Sequence, residues 1–404
     1  FTENKNPKQA IKYYQKAIEI DYDNVFVHFN LGNIYYEQSD FLLAIKHFKS
    51  AINIDPNYPN TYYNLAAAFE RIKDYPSCLK YYKLSFHQNS QEIKSLTKIR
   101  LLSKKMRKSD EAIRYFKNLL KETPNSKDII YNLASTFKSN GELVKAKFYF
   151  NKLLKIDDKN IKSYLLLGEV LCDTHSLNQG LKLFKKAIAL DEKDHTSHSF
   201  LLFNVNYCPN HTSEEIFSYY QQFNDKFGLP LQKEWQPFTP IKKPKKKLKI
   251  GYVSPDFKSH SMRGFLKPVL ANHNHEHFEI YAFAELSKED HVTKQYQSYV
   301  DHWIPTQNLT DQQMAQKIRD MEIDILVDLA GHTENNRLLV FARKPAPVSV
   351  TWLGYGYTTG LTAIDYFLTD KVMVPTGSEH LFSEQPWRLN NYGHCCYQAK
   401  TDMG

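Results

Sequence analysis

A spacing of 34 residues runs through the first half of the chain in four columns at one phase. Leu31-Gly32, Leu65-Ala66, Ile99-Arg100, Leu133-Ala134 and Leu167-Gly168 form the first. Ala10, Ala44, Cys78, Ala112, Ala146 and Gly180 form the second. Tyr14, Phe48, Tyr82, Phe116, Phe150 and Phe184 form the third, and Asp21, Asp55, Asn89, Thr123, Asp157 and Asp191 the fourth. A period of this length means one supersecondary unit per repeat, stacked on its neighbours into a continuous core. Small residues on both helices of a unit let them approach, and an aromatic four residues after the second small residue fills the same face. Asp55-Pro56 and Thr123-Pro124 close one unit and turn into the next.

The period and the residue types identify tetratricopeptide repeats. The array is read over residues 1–194: a partial repeat at 1–24 and five full repeats at 25–58, 59–92, 93–126, 127–160 and 161–194. The third is the weakest match. Such arrays present a protein-binding groove. Asn30, Asn64 and Asn132 share one repeat position, a series that Lys98 and Leu166 interrupt. A carboxamide offers two donors and an acceptor to a passing peptide backbone; the other reading is an Asn bonded to its own helix.

Residues 195–248 read as a helical linker, with helices at 195–206 and 213–227, followed by a connection rich in Pro and Lys. From 249 to 404 the period changes. Apolar strands are expected at 249–253, 278–284, 303–304, 323–329, 347–353 and 364–368. Helices fall between them, near 262–272, 290–300, 311–321 and 335–342. Alternation of this kind predicts a parallel sheet covered on both faces, with its ligand site beyond the carboxyl ends of the strands. Ser254-Pro255-Asp256, Gly331-His332-Thr333 and Gly354-Tyr355-Gly356 stand at those ends. No G-x-G-x-x-G or P-loop follows a strand, which disfavours an ordinary dinucleotide or ATP site. His273, His275 and His277 read as a solvated turn rather than a metal site.

Composition excludes a disordered chain: 42% of residues are apolar, 24% charged, with 14 Gly and 17 Pro. The net charge of +9 is spread over amphipathic helices, apart from the run Lys242-Lys243-Pro244-Lys245-Lys246-Lys247, read as a solvated linker in preference to a nuclear-localisation or RNA-binding segment. Nucleic acid and membrane are not expected partners. Five cysteines, odd in number and without a C-x-x-C pair, suit free thiols in a reducing compartment. No apolar run is long enough to span a bilayer, and the polar start of the chain is not expected to be a signal peptide. The expected location is cytoplasmic, or also nuclear in a eukaryote.

Within residues 249–390 stand Ile250-Gly251-Tyr252-Val253-Ser254-Pro255-Asp256-Phe257 with His260-Ser261, then Asp324-Ile325-Leu326-Val327-Asp328-Leu329-Ala330-Gly331-His332-Thr333. Arg343-Lys344-Pro345-Ala346-Pro347-Val348 follows, then Trp352-Leu353-Gly354-Tyr355 with Thr358-Thr359-Gly360, and Asp365-Tyr366-Phe367-Leu368-Thr369-Asp370. In order and spacing these resemble the amino-terminal catalytic half of the O-GlcNAc transferase and SPINDLY family. The resemblance implies a tetratricopeptide solenoid followed by a Rossmann-like half of a GT-B glycosyltransferase. It implies transfer of a sugar, of N-acetylglucosamine or fucose type, from a nucleotide sugar to Ser or Thr of proteins. UDP-GlcNAc or a related donor is then a substrate, and neither cofactor nor metal is expected. Protein or peptide acceptors would bind through the repeat groove, which an asparagine column lines in this family.

The resemblance also implies residue roles. His260 aligns with a histidine discussed as an active-site acid or base, and Asp256 with a carboxylate near the acceptor. Leu353 and Gly354 align with backbone that contacts the donor sugar; Thr358 and Thr359 lie on the same loop. His332 matches the Gly-His-Thr of SPINDLY-like and bacterial members, and is expected to converge with His260 on one cleft. His198 aligns with another active-site histidine, or is a surface residue. Gly354-Tyr355-Gly356 departs from the family, where Pro commonly follows Gly-Tyr. The family's second, donor-binding half finds no match before Gly404, so the chain as given is expected to be a fragment or inactive alone. Two alternatives stay open: a non-catalytic peptide-binding scaffold with a truncated transferase-like domain, and a transferase of cell-surface polysaccharide synthesis.

Overall fold

The computed structural model describes residues 7–238 and 247–390. Residues 242–246 of the basic run, Cys395 and Cys396 lie outside the described residues. Two compact units divide between Ser176 and Leu177.

The first unit is helical throughout its described residues. Its elements are α1 (Pro7–Ile20), α2 (Val25–Glu37), α3 (Phe41–Ile54), α4 (Thr61–Arg71), α5 (Tyr75–Gln88), α6 (Ile93–Lys105), α7 (Ser109–Glu122), α8 (Lys127–Ser139), α9 (Leu143–Ile156) and α10 (Ile161–Asp173). Each sequence column has a physical task here. Leu31, Leu65, Ile99 and Leu133 are fully buried, as are Phe48, Tyr82, Phe116 and Phe150. A β-carbon on Gly32 would sit 2.5 Å from the ring of Phe48, so the small residue on α2 makes room for the aromatic on α3. The polar column closes Asx turns. The side chains of Asp21, Asp55, Asn89 and Asp157 each accept the amide two residues on, at 2.8–3.4 Å. Thr123 instead donates to the Leu119 carbonyl.

A fifth column escapes sequence reading. Ser39, Lys73, Arg107, Gly141 and His175 all have positive φ, between 57° and 78°, at the turn between the two helices of a repeat. Only one is glycine, so residue type concealed the shared left-handed turn.

The second unit opens with α11 (Leu177–Leu190), α12 (His195–Val205) and α13 (Ser213–Phe223), then a π-helical turn (Asn224–Gly228) and a 3-10 turn (Leu229–Glu234). Helix α11, which closes the last repeat in the sequence, belongs to this unit: Phe184 packs on Phe200 of α12, and the Cys208 thiol donates to Asn178. Asp194 and Thr212 cap α12 and α13, Thr212 in a capping box with Glu215.

The sheet follows: β1 (Leu248–Ser254), α14 (Arg263–Ala271), β2 (Phe278–Ala284), α15 (His291–Gln297), β3 (His302–Pro305), α16 (Asp311–Asp320), β4 (Ile325–Asp328), α17 (Leu338–Ala342), β5 (Val348–Thr351), β6 (Tyr366–Thr369) and β7 (Gln385–Arg388). Its order is β3-β2-β1-β4-β5-β6-β7, and every pairing is parallel. Alternate residues of β1 enter two cores. Ile250 and Tyr252 face Leu266, Val292 and Tyr296; Val253 joins Phe223, Phe283, Leu326 and Phe341 on the other face. The order reverses between β1 and β4: the chain builds outward through β2 and β3, then crosses back. Beyond the carboxyl ends of two such strands their loops part, leaving a crevice.

Candidate active site

A cleft of ≈ 360 Å³ occupies that crevice. The segment after β1 contributes Asp256, Lys258, His260 and Ser261, with Met262 and Phe265 beneath. The loop after β4 contributes Thr333, Glu334 and Asn335, and the turn after β5 contributes Leu353 and Gly354.

Ser254 starts the first wall by accepting the Asp256 amide at 2.9 Å. The Asp256 carboxylate lies 3.5 Å from Lys258 Nζ and 3.9 Å from His260 Nδ1. The second separation is too long for a hydrogen bond. Nδ1 faces the Met262 amide at 3.4 Å, and the imidazole is exposed to the cleft. The second wall is set by Asp328, which is fully buried at the end of β4. It accepts from the amides of Ala330 (3.1 Å) and Gly331 (2.9 Å) and from the Thr351 hydroxyl (2.8 Å). Burial pushes its pKa up against those three bonds. The third wall presses on the second. A β-carbon on Gly354 would lie 2.1 Å from the Leu329 carbonyl oxygen, and Leu353 takes a φ of 67° to deliver it there.

Asp256, His260, Leu353 and Gly354 are thus brought together, while four other candidates are not. His332 is 2% exposed and does not line the cleft, so the expected convergence of two imidazoles does not occur. Its Nδ1 lies 3.0 Å from Ser199 Oγ and its Nε2 2.8 Å from the Thr359 carbonyl, with Phe223 and Tyr220 edge-on to the ring. Burial lowers its pKa to about 4, so the ring is neutral near pH 7. Thr358 and Thr359 have no exposed surface. Both hydroxyls donate to Glu384, leaving neither for a substrate. His198 is half-buried and edge-on to Phe227 at 4.9 Å, away from the cleft lining; burial lowers its pKa.

In the first unit, Asn30 donates to the Phe26 carbonyl and Asn132 to the Asp128 carbonyl, each one turn back on its own helix. Asn132 is also buried and accepts from Arg100. Asn64 instead donates to Asn33 of the preceding repeat. Sequence reasoning missed Lys258, Glu334 and Asn335 as cleft-lining residues. The signal was adjacency to the two strand ends at the switch point. Among the described residues no group of three or more His, Cys, Asp or Glu is placed to hold a metal ion. His273 bonds Tyr252 and His275 bonds Asp301. No described helix is long and apolar enough to cross a membrane.

The chain is similar to known proteins in sequence and in fold. Residues 225–391 match the model of glycosyl transferase family 41, and residues 1–39, 32–73 and 128–160 match tetratricopeptide repeat models. A tomato (Solanum lycopersicum) protein named as a probable UDP-N-acetylglucosamine–peptide N-acetylglucosaminyltransferase SPINDLY is 32% identical over 207 residues, 50% of this chain and 22% of its own length. An Arabidopsis thaliana protein named as the probable transferase SEC is 35% identical over 181 residues, 43% of this chain and 18% of its own. The solved structure of a Thermobaculum terrenum O-GlcNAc transferase mutant superposes with a TM-score of 0.68 and 28% identity, over 76% of this chain and 58% of that one. The chain spans about a fifth of the length of these plant relatives. In sequence and in fold the chain resembles O-GlcNAc transferases and SPINDLY proteins.

Proposed function

We propose that the cleft at the β1–β4 switch point belongs to a protein O-glycosyltransferase, which moves a sugar from a nucleotide donor to a Ser or Thr hydroxyl. The observation that carries this reading is the convergence of His260, Asp256 and the Leu353–Gly354 backbone on one crevice at the reversal of strand order. Parallel sheets bind ligands at that place. In the reaction, the acceptor oxygen attacks the anomeric carbon of the sugar, the bond to the nucleotide phosphate breaks, and the hydroxyl proton must leave. His260 is the exposed imidazole in the cleft, and an imidazole exchanges protons near neutral pH. Asp256 stands within 4 Å of His260 Nδ1, on the same wall of the cleft. The Leu353–Gly354 turn supplies backbone against which a sugar can rest.

N-acetylglucosamine is the sugar we favour, since the plant relatives' names carry it; fucose is the competing donor. Acceptors would reach the site through the repeat groove, with Asn30 and Asn64 as backbone contacts. A soluble cytoplasmic enzyme fits this reading, and no metal is invoked. The test is mass spectrometry of acceptor proteins incubated with the full-length protein and each nucleotide sugar in turn. His260→Ala is expected to lower transfer by about a hundredfold, the usual scale for a positioned acid–base group. Wild-type transfer by that variant would remove His260 from the reaction. No transfer from any donor would favour a peptide-binding scaffold.

A further inference from the structure

The buried polar groups behind the cleft form a continuous string that the reaction does not use directly. Thr359 is its centre. Its amide donates to Glu384 Oε1 at 2.8 Å and its hydroxyl donates to the same oxygen. Its carbonyl faces His332 Nε2 at 2.8 Å. A carbonyl only accepts, so Nε2 carries the proton. In the neutral ring Nδ1 is then an acceptor, and it takes the Ser199 hydroxyl at 3.0 Å. Thr358 completes the string. Its hydroxyl accepts from the amides of Gly360 (3.0 Å) and Ser383 (3.2 Å), which uses both lone pairs, so its proton goes to Glu384 Oε2 at 2.5 Å. Thr359, Glu384 and His332 are each 2% exposed or less, and no Lys or Arg pairs with Glu384 among the described residues.

The string joins two walls of the cleft. His332 lies in the loop after β4, next to Thr333, which lines the cleft. Thr359 ends the segment that starts with Leu353 and Gly354, which also line it. We propose that His332 and Glu384 are positioning residues, which clamp Thr359 from opposite sides and so hold the loops after β4 and β5 in register across the cleft. His332 acts as a neutral Nε2–H donor, and Glu384 as an acceptor on both oxygens. As a claim about transfer, this rests on the glycosyltransferase reading above; as a claim about the clamp, it stands on the hydrogen bonds alone.

The test pairs two readouts. In full-length protein labelled with 15N-histidine, proton–nitrogen correlation spectra are expected to show His332 protonated on Nε2 at neutral pH. A ring protonated on Nδ1, or one titrating at the usual histidine pKa beside His195 and His198, would overturn the assignment. In transfer assays, His332→Ala is expected to lower kcat/KM about tenfold, with the pH–rate profile unshifted. His332→Gln, whose carboxamide restores an N–H near the place of Nε2, should recover most of that loss. An acid–base role predicts that Gln is as inactive as Ala, and that result would refute positioning. Glu384→Gln should also cost about tenfold, because the carboxamide nitrogen must face either the Thr358 hydroxyl, whose lone pairs are taken, or the Thr359 amide, itself a donor; wild-type kinetics there would sink the clamp. If the wild-type protein transfers no sugar, the glycosyltransferase reading fails while the spectra still decide the clamp.

Discussion

Gly354→Ala tests the geometry of the cleft most directly. The added methyl carbon would lie 2.1 Å from the Leu329 oxygen, 2.3 Å from its carbonyl carbon and 2.4 Å from the Ala330 nitrogen. All three are backbone atoms. The strand end that carries them has no freedom to retreat, because the Leu329 amide donates to the Val253 carbonyl (3.1 Å) and Asp328 holds the amides of Ala330 and Gly331. Relief of the overlap therefore requires the Leu353–Gly354 turn to move outward by more than about 1 Å, to reach an ordinary van der Waals contact. Overpacking of this kind costs about 1–3 kcal/mol, and the rigidity of the strand end places this case near the upper end. For a unit of this size that is a fall in Tm of roughly 5–10 °C. A displacement of about 1 Å in a wall that positions substrate costs about a hundredfold in transfer. Gly264→Ala is the control: no atom lies within 4 Å of its added carbon, and it sits in α14 beside the same cleft. Thermal melts and a radiolabelled transfer assay on both variants decide the matter. Equal behaviour of the two would refute the claim that close approach of these backbones builds the wall.

Three further outcomes are expected. Arg107→Gly should stabilise the repeat unit by about 0.5–1 kcal/mol, since an L-residue is strained at its φ of 57°, and Gly141→Ala, at 78°, should destabilise it by a similar amount; urea melts of the paired variants check both. His332 binds its proton more weakly folded, with a pKa of about 4, than unfolded, near 6.5, so the unfolded state takes up the extra proton and stability is lost as pH falls from about 6.5 to 4. The loss amounts to about 3 kcal/mol, and His332→Gln should flatten that part of the stability profile measured by denaturant midpoints. Asn132→Ala should cost about 1–2 kcal/mol because it strands the half-buried Arg100, whereas Asn30→Ala and Asn64→Ala should leave the melt unchanged and weaken acceptor-peptide binding, as measured by calorimetry.

The repeat array was legible because each column answers a separate packing demand at one period. Burial of Leu31, room for Phe48 and closure of the Asp55 turn all recur in the sequence itself. The left-handed turn at Ser39, Lys73 and Arg107 recurs as strictly, yet the backbone imposes it and the side chains do not record it. In the sheet unit, β1 and β2 announce themselves as seven-residue runs whose last five residues are buried. Strand β7 does not. Its four residues, Gln385–Arg388, include a proline and an exposed tryptophan, because an edge strand is paired on one side only and needs no continuous apolar run.

Placement at a strand end proved necessary for a site residue without being sufficient. His260 and His332 both follow strands that flank the switch point, and sequence spacing alone assigns them the same place. What separates them is the direction of the chain after the strand. Beyond β1, Ser254 captures only the Asp256 amide, and the segment runs outward until His260 is exposed. Beyond β4, buried Asp328 captures two successive amides and Gly331 takes a φ of 53°, which folds the loop back so that the next side chain enters the core between Phe223 and Tyr220. The signal was present as an aspartate ending an apolar strand three residues before a glycine, but its effect depends on burial, which spacing does not report. The Thr358–Thr359 pair follows the same logic over a longer range. Two adjacent hydroxyls read as sugar contacts until the partner is known, and that partner, Glu384, stands 25 residues later, just before the strand the sequence concealed. Polar residues near a cleft are therefore divided between chemistry and support by whether another buried group has already claimed their hydrogen-bonding capacity, and that division is written in tertiary contacts.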